Sequence, residues 1–108
     1  MLDIYFIDDF VDTIDFPIEE NYIDSIEIEE HQNLIKIRIL LEEMGIKFSF
    51  FDDIRLTSTQ VNKILNLINL EYSNLMKLNQ QEKIAIPKFR KILELAAENN
   101  LGIVCFSD

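Results

Sequence analysis

The run "LGIVCF", residues 101–106, constrains the fold of this chain more than any other stretch. It contains no charged residue, so a strand built from it has no face suited to water. Strands of this kind lie inside a sheet, with neighbours on both sides. We therefore predict a closing strand over 102–106 that is central in its sheet and needs a partner strand on each side.

Two further apolar runs predict the partner strands. "LDIYFI", residues 2–7, is rich in β-branched and aromatic residues and stops at a pair of aspartates. "IKFSFF", residues 46–51, has the same character and also stops at an aspartate pair. The sequence thus predicts a small sheet containing these three strands, without determining their order.

The clearest local signal for a helix is "TSTQ" at 57–60, where Thr57 and Gln60 have the spacing of a capping box. Apolar residues then recur at intervals of three and four for about five turns, which predicts a helix over 58–76. A last helix is predicted over 87–99. It begins at a proline, because a proline in the first turn gives up no helical hydrogen bond.

Two segments are ambiguous. Residues 30–44 contain isoleucines at alternate positions, as a strand would, but their end "LLEEMG" is typical of a helix that stops before Gly45, and we predict a helix. Residues 8–17 are predicted to be loop, with a short helix over 17–26 as an option. The combined prediction is an α+β fold: one small domain over 1–108, with a small sheet covered by about three helices.

Negative charge is concentrated at the start of the chain. The net charge is −10, and residues 1–35 hold eleven acids and no Lys or Arg, whereas residues 36–108 hold nine acids and ten bases. An excess of acids disfavours direct binding to nucleic acid or to an anionic membrane, because both are polyanions. If this protein has a charged partner, we expect that partner to be basic.

The chain has the features expected of a cytoplasmic protein. Its N-terminus lacks the positive region of a signal peptide, and no apolar run approaches the ~20 residues of a membrane span. Cys105 is the single cysteine, which rules out an intramolecular disulfide and fits a reducing compartment.

Paired acids raise the possibility of chemistry. "IYFIDDF" and "KFSFFDD" both place two aspartates after an apolar run, which resembles the acidic pocket of response-regulator receiver domains. That resemblance implies that Asp8 and Asp9 bind magnesium and that Asp52 or Asp53 accepts a phosphoryl group. The sequence departs from the receiver pattern, because "IPKF" reverses the family's Lys-Pro pair and "IRLT" replaces its Met-Pro.

Other catalytic arrangements are weakly supported. His31 is the only histidine, and we expect it to be exposed to solvent or to cap a helix. Cys105 lies in an apolar run and is expected to be an inert buried thiol. No glycine-rich phosphate loop and no calcium-loop pattern is present. We therefore expect no catalytic residue, no metal site and no cofactor.

Recognition by charge is the interpretation that we favour. The segment "DDFVDTIDFPIEE", residues 8–20, interleaves six carboxylates with apolar side chains. Such a surface can cover the Lys and Arg residues with which a nuclease binds phosphates. The alternative is that these acids form a solvated face that binds nothing. The expected contact residues are Asp8, Asp9, Asp12, Asp15, Glu19 and Glu20, with Phe10 and Phe16 as aromatic anchors and Asp52 and Asp53 as second choices.

The chain also resembles a known group. The likeness rests on the acidic first third and on two patterns, "FFDDIRLTSTQV" and "LAAENNLGIVCFSD". In these features the sequence is similar to the immunity proteins of bacterial polymorphic-toxin and contact-dependent growth inhibition systems. The resemblance implies that the protein binds and blocks one cognate toxin in the cytoplasm of the producing cell. With the net charge, it points to a basic toxin such as a nuclease; a DNA-mimic inhibitor of a DNA-binding protein remains an alternative.

Overall fold

The strand formed by the closing apolar run is β4, Gly102–Ser107, and it lies inside a four-stranded antiparallel sheet. β1, Leu2–Ile7, pairs along one side of β4, and β3, Ile54–Leu56, pairs along the other. β2, Tyr22–Ile26, pairs with the outer side of β1, so the strand order is β2-β1-β4-β3. The predicted inner position of the closing strand is confirmed.

The computed structural model describes residues 1–11, 19–49, 52–71 and 78–107. A 3-10 turn and four α-helices accompany the sheet in these residues, which confirms the predicted α+β class. No helix in these ranges is both long enough and apolar enough to cross a bilayer. The turn is Glu19–Asn21, and the helices are α1, Ile28–Gln32; α2, Ile35–Glu43; α3, Ser58–Glu71; and α4, Glu82–Glu98.

The core lies between the helices and one face of the sheet. Alternate residues of every strand point towards the helices, as the two-residue period of a strand requires. Each of the four helices has at least one buried side chain facing the sheet, and the apolar side chains among these belong to the same core. The strand residues of this core are Leu2, Ile4, Ile26, Ile54, Leu56, Ile103 and Cys105.

The opposite side of the sheet, which we call the open face, carries a different set of side chains. These side chains are not part of the hydrophobic core; Tyr22 is exposed, Val104 is buried and the others are half-buried. A register shift between β1 and β2 brings Tyr22 opposite Tyr5, while Ile23 packs against the core. The open face consists of Asp3, Tyr5, Tyr22, Ser25, Arg55, Val104 and Phe106.

The strand predicted over 46–51 is wrong for the residues described. Residues 46–49 form neither helix nor strand, and residues 50–51 lie outside the described ranges. Ile46 and Phe48 are buried in the core, and Lys47 between them is exposed. The alternation of apolar and polar residues here reflects alternating burial, although the segment pairs with no strand. The second partner of β4 is the short β3 instead.

Two predictions around β2 need correction. The optional helix over 17–26 is wrong for the described residues, because positions 22–26 form β2 against β1. The helix predicted over 30–44 is present but breaks into α1 and α2 at Asn33 and Leu34. The amide side chain of Asn33 donates to the carbonyl of Glu29 at 2.7 Å. The backbone N–H of Asn33 donates to the carbonyl three residues earlier, as in a 3-10 helix.

The last helix begins earlier than predicted. α4 starts at Glu82 and contains Pro87 in its interior. The N–H of Glu82 donates to the side-chain oxygen of Asn79 at 2.8 Å, and the N–H of Asn79 donates to the Glu82 carboxylate at 3.2 Å. This reciprocal pair is a capping box, and its sequence "NQQE" carries the signal that places the helix start before the proline.

The start of α3 is as predicted. The N–H of Thr57 donates to the side-chain oxygen of Gln60 at 2.9 Å, and the N–H of Gln60 donates to the Thr57 hydroxyl at 3.2 Å. The capping box is confirmed, and the helix continues to Glu71; residues 72–76 lie outside the described ranges.

Gly102 permits the β3–α3 junction to press against β4. A Cβ at this position would lie 2.2 Å from the carbonyl oxygen of Leu56, which belongs to the backbone and has no rotamer with which to move away. We predict that Gly102→Ala lowers the free energy of unfolding by about 1–3 kcal/mol or more through overpacking, measured by urea titration.

Gly45→Ala is the matched control for this prediction. Gly45 has φ +79°, and a Cβ there meets nothing within 4 Å, so its loss is limited to the roughly 1 kcal/mol cost of a left-handed conformation. Equal losses in the two variants would contradict the proposed clash.

His31 is buried rather than exposed or capping, which corrects the expectation from sequence. It is 6% exposed, and its ring stacks on Phe48 with centroids 5.5 Å apart, because α1 docks against α4 with this position facing inwards. Burial, with a smaller contribution from Arg38, lowers the pKa of His31 below its usual value. The native state therefore favours the neutral imidazole.

This lowered pKa predicts a loss of stability in mild acid. The unfolded chain takes up a proton near pH 6.5, before the folded protein does, so the contribution of His31 is complete above that pH and falls as the pH drops towards the folded pKa. Urea unfolding at pH 7.5 and 5.5 should show a larger decrease for the native sequence than for His31→Gln. An identical decrease in both proteins would be inconsistent with a neutral buried histidine.

Candidate functional site

Three aromatic rings form a row across the open face. Tyr5 on β1 is at the centre, with the Tyr22 ring on the β2 side at 5.4 Å and the Phe106 ring on the β4 side at 5.8 Å, centroid to centroid. Both pairs meet edge to face, the arrangement that aromatic quadrupoles favour. Tyr22 is 44% exposed, so part of the row is accessible to a partner.

A carboxylate adjoins this row. Asp3 pairs across the sheet with Ser25 on one side and Phe106 on the other. The Ser25 hydroxyl donates to the Asp3 carboxylate at 2.8 Å and is also hydrogen-bonded to the Tyr22 hydroxyl. A chain of polar contacts therefore links Tyr22 to Asp3 and holds the carboxylate in a fixed position on the open face.

Four of the predicted contact acids meet at one end of the sheet. β1 ends and β2 begins at this end, because the two strands are antiparallel neighbours. Asp8 and Asp9 follow β1, and Glu19 and Glu20 form the turn before β2; all four are exposed. Phe10, a predicted aromatic anchor, is 93% exposed beside them. Asp12, Asp15 and Phe16, also predicted, lie outside the described residues.

Asp9 has a structural role as well. Its carboxylate accepts hydrogen bonds from the N–H of Ser58 at 2.9 Å and from the Ser58 hydroxyl. Arg55 on the open face donates to the backbone carbonyls of Asp8 at 3.2 Å and Asp9 at 3.4 Å. The bonds from Ser58, assisted by the charge of Arg55, lower the pKa of the Asp9 carboxyl. These contacts fix the acidic loop to the start of α3.

The second-choice acids lie at the opposite end of the sheet. The Asp53 carboxylate accepts from the N–H of Ser107 at 2.9 Å, next to the beginning of β1, and Asp52 is 3.5 Å from the Lys47 ammonium. The length of β1, about 17 Å at ~3.4 Å per residue, separates this end from Asp9. The two aspartate pairs therefore do not share one acidic pocket.

Most described carboxylates of residues 1–35 form no ion pair. Asp24 and Glu30 form ion pairs, both with Lys88, which is 2.8 Å from Glu30. Among the described residues, no Lys or Arg nitrogen lies within 4 Å of the other seven carboxylates. These are Asp3, Asp8, Asp9, Glu19, Glu20, Glu27 and Glu29.

The remaining candidates for chemistry are not arranged for it. Cys105 is buried, as predicted, and burial, with a smaller effect from Asp53, raises the pKa of its thiol to about 12. In the part of the chain that the structure describes, no three His, Cys, Asp or Glu side chains converge as metal ligands. His31 is buried and lies away from the open face.

Sequence reasoning missed the centre of this site. Asp3, Tyr5, Tyr22 and Phe106 were assigned to strands or to a helix and were not considered as contact residues. The alternation of Leu2 and Ile4 with Asp3 and Tyr5 was the available signal, because alternation is typical of a strand with one face outside the core.

Asp9 offers a test of the link between the acidic loop and α3. We expect Asp9→Ala to lower the melting temperature at pH 7, since the N–H of Ser58 loses its acceptor. The contribution of a carboxyl with a lowered pKa is present above about pH 4 and disappears as the pH falls through the folded pKa. Asp8→Ala, which removes only a bond from the N–H of Phe10, is the control and should have a smaller effect.

The comparisons of this chain with known proteins agree with one another. No protein-family model, no curated protein and no solved structure matches it.

Proposed function

We propose that this protein binds and neutralises a cognate bacterial protein toxin, most simply a basic nuclease, by covering it with an acidic surface in the cytoplasm of the producing cell. The observation that carries the proposal is the open face, on which an aromatic row is bordered by carboxylates that form no ion pair among the described residues. This inhibition is stoichiometric and requires no catalysis, metal or cofactor.

The charge of the partner follows from the distribution of ion pairs. In residues 36–108, Lys and Arg offset the acids, whereas the carboxylates around the open face are left for an external cation. A protein toxin that grips nucleic acid presents Lys and Arg clusters of the required sign. Complementary fields also accelerate encounter, with rate constants up to ~10⁸–10⁹ M⁻¹s⁻¹ at low salt.

The size of the surface supports a contact that includes the acids as well as the rings. Four strands at ~4.8 Å spacing and a length of about 17 Å give the open face roughly 250 Å². A stable interface buries about 800 Å² on each partner. The contact therefore has to extend over the acidic end of the sheet, where Asp8, Phe10, Glu19 and Glu20 are exposed.

The structure speaks against one of the two alternative functions and leaves the other to experiment. A receiver-like phosphoacceptor needs its acids in one pocket, and the separation of Asp9 from Asp53 along the length of β1 speaks against that arrangement. A DNA-mimic inhibitor would use the same acidic surface against a DNA-binding protein, so its partner, and not its surface, is what an experiment must identify.

Charge reversal tests the proposal in cells that express a candidate nuclease toxin. The variant Asp8→Lys, Glu19→Lys, Glu20→Lys should lose at least tenfold in protection, because contacts with a basic partner become repulsive. Thermal melts should change little, since exposed charges contribute about 0–1 kcal/mol each.

The matched control is Glu43→Lys, Glu71→Lys, Glu98→Lys. These three acids are also exposed, and both variants change the net charge by six. A folded first variant that still protects would show that the acidic end of the sheet is not the interface. If the native protein gives no protection against the toxin and captures a DNA-binding protein that the first variant does not capture, the DNA-mimic alternative is correct.

A further inference from the structure

We infer that the open face contains a seat for one arginine side chain of the partner, formed by the ring of Tyr22 and the carboxylate of Asp3. The inference rests on the proposed function and specifies which cation of the basic partner lies at the centre of the interface.

The rings provide the first half of the seat. Tyr22 lies on the edge strand β2, is 44% exposed, and meets Tyr5 at 67° between ring planes. Tyr5 is supported on its other side by Phe106. The exposed ring is therefore held in place by its neighbours before a ligand arrives, which lowers the entropy cost of binding.

The carboxylate provides the second half. Asp3 is held by the Ser25 hydroxyl, which is in turn bonded to Tyr22, so the ring and the carboxylate are positioned by one hydrogen-bonded chain. Among the described residues, no Lys or Arg nitrogen lies within 4 Å of this carboxylate. A cation from another molecule can supply the missing partner.

Two acid sites on the helix side of the protein already have a cation. Both carboxylate oxygens of Glu30 accept from the Lys88 ammonium at 2.8 Å. Glu82, which borders a cleft of about 230 Å³ beside α2, pairs with Lys36 at 3.3 Å. Among the described residues, the exposed aromatic rings are those of Phe10 and Tyr22, and neither belongs to these helix-side sites.

The combination of ring and carboxylate favours arginine over lysine. A planar guanidinium stacks on an aromatic face while its N–H groups bond to a carboxylate in the same plane. A lysine ammonium is a compact, strongly hydrated charge that gains less from the ring. The seat is thus selective between two cations of equal charge, which long-range attraction alone is not.

The probes are nona-arginine and nona-lysine peptides, which carry the same charge and require no toxin. With the full chain at physiological salt, we expect tighter binding of nona-arginine by calorimetry. Amide NMR shifts should centre on Asp3, Tyr22 and Ser25. Tyr22→Leu should weaken nona-arginine binding about two- to fivefold, the effect of a cation–π contact at an exposed site, and leave nona-lysine binding unchanged.

The Asp3→Asn variant tests whether the carboxylate contributes to peptide binding. The Glu43→Gln variant is its control, because it also removes one negative charge. Phe10→Leu is the control for loss of an exposed ring. Equal affinity of the native protein for the two peptides would overturn the inference. So would equal effects of Tyr22→Leu and Phe10→Leu. A concentration-dependent dimer in sedimentation that Tyr22→Leu abolishes would assign the open face to a second copy of this chain, and would also overturn it.

Failure of the seat and failure of the proposed function give different results. If the peptides do not discriminate but charge reversal abolishes protection, toxin neutralisation stands and the seat is wrong. If nona-arginine binds as expected but protection is independent of the acidic end, the seat is correct and the toxin is not its partner.

Discussion

The close contact between β4 and the β3–α3 junction is the constraint on which the rest of the structure depends. Gly102 brings its backbone against the carbonyl of Leu56, which places β3 beside β4 and sets the point where α3 starts. Asp9 then reaches Ser58 at that start, and Arg55 holds the carbonyls of the same acidic loop. One backbone approach thus positions both the core and the acidic end of the sheet.

Sequence reasoning succeeded where a local pattern has a single structural solution. The apolar run of β4 admits only an inner strand, and Thr57 with Gln60 forms the bonds that their spacing predicts. It failed where one pattern has several solutions. The apolar–polar alternation over residues 46–49 reflects burial without a strand. β2 forms by pairing with β1, and no local pattern within residues 22–26 predicts that pairing.

The candidate site was predictable in charge but not in geometry. The excess of acids in residues 1–35 predicted a negatively charged surface, and among the described acids of that segment two form an ion pair, both with Lys88. The ring row depends on a register shift that turns Tyr22 to the same side as Tyr5. A shift of this kind is decided by pairing between strands, so composition and spacing do not reveal it.

The two inner strands of the sheet come from residues 2–7 and 102–107, which are about as distant in sequence as this chain allows. Contacts of such long range slow folding, because the loop between them must close first. During synthesis the acidic segment emerges early, yet Tyr5 acquires Phe106 as a neighbour only after the last strand has been made. The acids of residues 1–35 are therefore made before the ring row can form, and any surface that needs both exists only after β4 has paired with β1.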